Sequence, residues 1–167
     1  MNVKLTVLLI TLIIASCNSN ERSFRDELSK ENLVKRELEY LKIKIMIPKE
    51  CTILENNDNI LIDCNAKGRT IRQFSISKIQ STLQEDQYEA LFSFENGATL
   101  QYYMFEGGAG SGGTEYQLEG VFKIGGKTLL ITSSDQKEFG KGEPEFCLKY
   151  LSTIEIIKRL PAKDKMN

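Results

Sequence analysis

From Lys42 onward the apolar residues of this chain recur with a period of two, and that period limits what it can fold into. Ile43, Ile45 and Ile47 alternate with Lys42, Lys44 and Met46, and Pro48 follows. Successive side chains of a strand point to opposite faces, so this pattern predicts a half-buried strand ended by Pro48. The same signature returns along the chain. Residues 52–54 and 60–62 flank Asn57-Asp58 and read as a hairpin with a short polar turn. Residues 70–79 form another strand, with Phe74 and Ile76 on one face and serines on the other. Residues 99–106, 114–124 and 127–133 make a meander whose last two strands turn at Gly125-Gly126.

Three stretches carry helical spacing instead. Phe24, Leu28, Val34, Leu38 and Leu41 fall within an arc of about 140°, which predicts an amphipathic helix over 24–41; Glu31 interrupts the stripe and keeps that helix at the surface. Residues 81–94 read as a helix opened by Ser81, with Leu83, Leu91 and Phe94 on one side and Asn96-Gly97 as the stop. Residues 143–157 read as a final helix whose Phe146, Tyr150, Leu151, Ile154 and Ile157 share a face. Strands joined mostly by hairpins, with helices between them, predict one α+β domain over 24–160. Its sheet would be mostly antiparallel with helices packed on it, sandwich-like, and a polar tail would follow over 161–167.

The order of elements over most of residues 42–158 resembles the PsbP/Mog1-type α/β/α sandwich. Ile47-Pro48, the glycine-rich connection and Ser152-Thr153-Ile154 carry that resemblance. In the same way the chain is similar to lipoprotein immunity proteins that neutralise lipase effectors of type VI secretion. The second resemblance implies a protein partner.

The N-terminus has the layout of a secretory signal: Lys4, an apolar run over 5–14, then the small residues Ala15 and Ser16. The run falls short of the roughly 20 apolar residues that a spanning helix needs. Ile14-Ala15-Ser16-Cys17 resembles the bacterial lipobox. The resemblance implies removal of residues 1–16, acylation of Cys17 and a polar tether over 17–23. Each buried methylene would contribute ~0.8 kcal/mol of membrane affinity, so the expected address is the cell envelope, lipid-anchored to a membrane and periplasmic or surface-exposed.

An oxidising envelope permits disulfides. With Asn57 and Asp58 as turn residues, Cys51 and Cys64 fall directly opposite one another, at Cβ separations of ~4.5–5.5 Å that a disulfide can bridge. Cys147 remains, in an apolar segment that favours a buried, inert thiol.

The chain contains no histidine. Ser-His-Asp and Cys-His catalysis are therefore excluded, as is any histidine metal site. Cysteine-only zinc sites need four thiolates, and lipidation of Cys17 leaves three. A Ser-Lys or carboxylate-pair mechanism stays open. The acidic pairs Glu115 and Glu119, and Asp135 and Glu138, read more simply as solvated surface charge. With 22 Lys and Arg against 23 Asp and Glu, nothing suggests the basic face that nucleic acid requires.

Gly107-Gly108-Ala109-Gly110-Ser111-Gly112-Gly113 remains as the conspicuous motif. A phosphate cradle would need a helix after it, whereas this run leads into a strand and has Glu106 and Glu115 at its flanks. A mobile tip, or a surface where another backbone approaches closely, is the expectation. Gly107, Gly108, Gly110, Ser111, Gly112 and Gly113 are the candidate partner-binding residues. No cofactor is expected. The leading function is a non-enzymatic, membrane-anchored protein-binding module, including an immunity protein against an enzyme toxin. The rival is a carrier lipoprotein whose Phe92, Phe94, Tyr102, Tyr103, Phe105 and Phe122 line an apolar pocket.

Overall fold

The computed structural model describes residues 23–56, 59–64, 69–79, 88–108, 114–138 and 140–157. A short helix, α1, covers residues 23–28. Strands follow in the order β1 (Leu33–Leu38), β2 (Ile43–Pro48), β3 (Thr52–Glu55), β4 (Asn59–Asp63), β5 (Arg69–Lys78), β6 (Ala90–Ser93), β7 (Thr99–Gly108), β8 (Thr114–Ile124) and β9 (Lys127–Lys137). A 3-10 turn, Pro144–Cys147, leads into α2 (Leu148–Leu151), and β10 (Glu155–Ile156) ends the described chain.

The strands make two sheets, one of three strands ordered β1-β2-β10 and one of seven ordered β3-β4-β5-β9-β8-β7-β6. Every pairing is antiparallel. A single hydrophobic cluster joins the two sheets. It includes Ile43, Ile45 and Ile47 of β2, Ile60 and Ile62 of β4, Phe74 and Ile76 of β5, Phe122 of β8, Ile131 of β9, and Leu151. The alternation read at Ile43, Ile45 and Ile47 is thus the alternation found, with all three fully buried. The meander is found too, with β7 and β9 running a little beyond their expected ends. Gly125 and Gly126 turn it at φ of +51° and +78°, as a two-residue hairpin loop demands.

Three helical expectations need correction, and the protein is accordingly mostly β. Over 24–41, helix is found only at residues 23–28, and Leu33–Leu38 is an edge strand paired residue for residue with β2. Good helix formers occupy β1, but cross-strand partners outweigh their propensity. Glu37 lies opposite Lys44 and pairs with it, and Lys35 reaches Glu155 at 2.7 Å. Over 81–94, residues 81–87 including Leu83 lie outside the described residues, and Ala90–Ser93 is a strand. Leu91 points outward there, 65% exposed, while Phe92 packs against the core. Over 143–157, the helix stops after Leu151 because the Ser152 and Thr153 hydroxyls bond the Lys149 and Tyr150 carbonyls at 2.6 and 2.7 Å. Thr153 Oγ1 also accepts from the Met46 amide at 2.9 Å, which ties the turn to β2. Among the described residues, the expected layers of helix on the sheet reduce to α1 and the short helical run at 144–151.

Candidate functional site

A surface cleft forms where β7 and β8 run toward the glycine-rich segment. β6 pairs with β7 only at Thr99 to Tyr102, so from Tyr103 to Gly108 no described strand covers the outer side of β7. Met104 is 51% exposed and Phe105 39%, both large for free surface. Residues 141–145 cross the face of the sheet that carries Tyr102 and Met104, and the cleft there has a volume of about 440 Å³. Met104, Phe105, Glu106, Tyr116 and Gln117 line one side of it, and Lys141, Gly142, Glu143, Pro144 and Glu145 the other.

Segment 141–145 is held at fixed height by the end of β9. The Glu143 amide donates to Asp135 Oδ2 at 2.6 Å, and Ser133 Oγ donates to the Pro144 carbonyl at 2.7 Å. Asp135 is fully buried, and Arg72 reaches its Oδ1 at 3.4 Å while stacking 4.1 Å above the Phe146 ring. A charge this buried persists only when paired and hydrogen-bonded, as this one is. Gly142 lies so close to β9 that an added β-carbon would sit 2.0 Å from the Asp135 carbonyl oxygen.

Two of the three carboxylates that line the cleft are partnered. Lys137 pairs with Glu143 at 2.6 Å, and Tyr102 donates its hydroxyl proton to Glu145 at 2.6 Å. Burial, and then that carboxylate, hold the Tyr102 phenol protonated well above its ordinary range. The Lys141 ammonium stands 5.3 Å from the Tyr116 ring centroid, within cation–π reach. Glu106 is exposed, and no described residue bonds its carboxylate.

The expected site residues are distributed as follows. Gly107 and Gly108 end β7 opposite Glu115 and Thr114, at the root of the loop beside the cleft. Gly110, Ser111, Gly112 and Gly113 lie outside the described residues, as do Cys17 and the whole segment 1–22. Cys51 and Cys64 are joined as a disulfide, and the strands they bracket pair Thr52 with Asp63 through Glu55 with Ile60. Cys147 is a free, fully buried thiol whose pKa burial pushes up to about 12. It is therefore inert at neutral pH. No group of three metal-ligating side chains occurs among the described residues.

The acidic pairs are not brought together as working carboxylates. Asp135 is committed to Arg72 and the Glu143 amide, and Glu138 is exposed. Glu115 and Glu119 are four residues apart on one strand, which separates them by roughly 14 Å. The six aromatics proposed to line an apolar pocket divide between both faces of the large sheet. Phe94 and Phe122 pack ring to ring at 5.6 Å in the core, whereas Tyr103 and Phe105 stack at 5.5 Å on the outer face. Segment 141–145 was legible only as a helix start; its packing on β9 depends on Gly142, which carries no signal of its own in the sequence.

No curated protein matches the chain. A crystal structure from Bacteroides thetaiotaomicron VPI-5482 is similar in fold, with a TM-score of 0.57 and 12% identity over 74% of this chain. The chain spans about half of that protein's length, 48%. The family pattern of the type six secretion immunity 3 domain, Tsi3, matches residues 44–155, from β2 through the first residue of β10. With more than half of its length matched, the chain belongs to the type six secretion immunity 3 family.

Proposed function

We propose that this chain is a lipid-anchored, non-enzymatic immunity protein that protects its cell by binding an enzyme effector delivered by type VI secretion. The Tsi3 match over residues 44–155 carries the proposal. The lipobox-like Ile14-Ala15-Ser16-Cys17 supports an envelope address, where such an effector would act. Immunity by binding needs a rigid complementary surface and no turnover. The lack of histidine in the chain and the structural commitment of Asp135 fit that mode. The β7–β8 arm, with Gly107 and Gly108 at its loop end, is the surface this reading assigns to the effector.

Two experiments test it. A strain lacking the gene, grown against its parent with an active type VI apparatus, should be killed, and the wild-type gene should rescue it. An insensitive deletion strain would overturn the immunity role. Cys17→Ala should leave unprocessed precursor without acyl label and should weaken protection. Labelled fatty acid on that variant would overturn the anchor assignment.

A further inference from the structure

We propose that the β6–β7 side of the seven-stranded sheet rests on the phospholipid bilayer to which the chain is anchored. This deepens the lipid-anchored reading and rests on it. Four large apolar side chains stand exposed among the described residues, and three of them, Leu91, Met104 and Phe105, lie on β6 and β7. Leu91 pairs with Gln101, so it shares the outer face of the sheet with Tyr103 and Phe105. Tyr103 stacks between Tyr88 and Phe105, with ring centroids 5.6 and 5.5 Å apart. Aromatic rings beside exposed leucine suit a membrane interface, where tyrosine concentrates.

The chain enters the body at this same side. Ser23 and Phe24 line a hollow with Phe92, Tyr102 and Leu148, and Phe24 stacks on the Phe92 ring at 5.7 Å. Arg25 pairs with Glu95, just past the end of β6. Cys17 stands six residues before Ser23, so a fully extended link reaches roughly 20 Å. An acylated Cys17 therefore keeps β6 within that distance of the bilayer. The opposite edge, β3, lies six strand spacings away, about 29 Å across the sheet. The fourth exposed residue, Leu54, is on that far strand. A surface tethered this closely needs little intrinsic affinity, because a short link supplies an effective concentration on the order of millimolar. Glu89 and Glu106 are exposed beside the patch, so the contact is apolar rather than a docking on anionic headgroups.

The chain contains no tryptophan, so each single substitution supplies a unique probe. Leu91→Trp, Phe105→Trp and Leu54→Trp all change exposed positions. Each variant is purified from its own membranes in the lipidated form and reconstituted into phosphatidylcholine vesicles, with and without bromine shallow in the acyl chains. A docked side chain enters roughly 5–10 Å, the depth of those bromines. Leu91→Trp and Phe105→Trp should be quenched by the brominated lipid, and Leu54→Trp should keep its emission. Quenching should persist in high salt, since no ion pair holds the contact. Equal quenching of all three probes, or quenching of none, overturns the proposal.

Acyl labelling and vesicle flotation separate this proposal from the anchor beneath it. Protein that floats with the vesicles while no probe is quenched overturns the docking and leaves the anchor standing. Protein that carries no acyl label and does not float overturns the anchor, and the docking with it.

Discussion

Gly142 shows how one residue with no side chain can set the shape of a surface cleft. Its Cα lies against the Asp135 carbonyl, and an added β-carbon would stand 2.0 Å from that oxygen. Backbone rather than a flexible side chain blocks the space, so an alanine must push residues 141–145 away from β9. Overpacking of this kind costs about 1–3 kcal/mol. We expect Gly142→Ala to lower the melting temperature, weaken the Glu143 amide bond to Asp135 and reshape the cleft. Thermal unfolding of the variant checks the first effect. Gly126→Ala should instead strain only the hairpin, since nothing lies within 4 Å of its added carbon and its φ of +78° is the sole obstacle.

At the scale of elements, the β3–β4 hairpin makes the sharpest claim. Cys51 and Cys64, thirteen residues apart, close a loop at the edge of the seven-stranded sheet. Such a closure contributes ~3 kcal/mol by restricting the unfolded chain. Replacing both cysteines by serine should lower the free energy of unfolding by about that amount, measured by denaturant titration. An unchanged midpoint would show that the bridge does not form in solution. This hairpin was legible because a two-residue turn fixes register, so the positions of Thr52 through Asp63 followed from Asn57-Asp58. The strand β1 was not legible. Val34, Leu38 and Leu41 satisfy helical spacing as well as strand spacing, and one of the ion pairs that hold β1 reaches Glu155, 120 residues away. Phe92 and Phe94 were likewise assigned to a helix because period two is hard to see in the four residues of β6. The candidate surface was half legible. Its glycines announced the arm, whereas the cleft needs residues 141–145 to return across the sheet, a long-range contact that no local pattern encodes.

At the scale of the whole molecule, several acids hold their protons more tightly folded than unfolded. Burial, and then Glu31, raise Tyr150; burial and Glu145 raise Tyr102; burial raises Cys147 to about 12. The folded state then binds more protons than the unfolded state once pH passes the ordinary thiol and phenol values of 9.0 and 10.0. Stability from these groups is complete below about pH 9 and declines as pH rises further. Denaturant titrations at neutral pH and near pH 10.5 should show that decline, and Tyr150→Phe should flatten it. A second global feature is the way the N-terminal segment grips the body. Lys149, nearly buried, pairs with Glu31 and with Glu27 at 3.3 Å, and Tyr150 donates to Glu31 at 2.9 Å. Phe24 stacks on Phe92 at 5.7 Å, and Arg25 pairs with Glu95. The hereditary signature of the family and the physical unit that folds therefore have different limits. A truncation beginning at Lys44 would keep the matched residues 44–155 and lose β1, Glu27 and Glu31. It would leave the Lys149 ammonium inside the protein without its carboxylates, a loss of about 3–5 kcal/mol that rivals the entire reserve of a typical domain. Such a fragment should be recovered as insoluble aggregate while one beginning at Ser23 stays in solution, so gene boundaries drawn from the signature alone would cut through the fold.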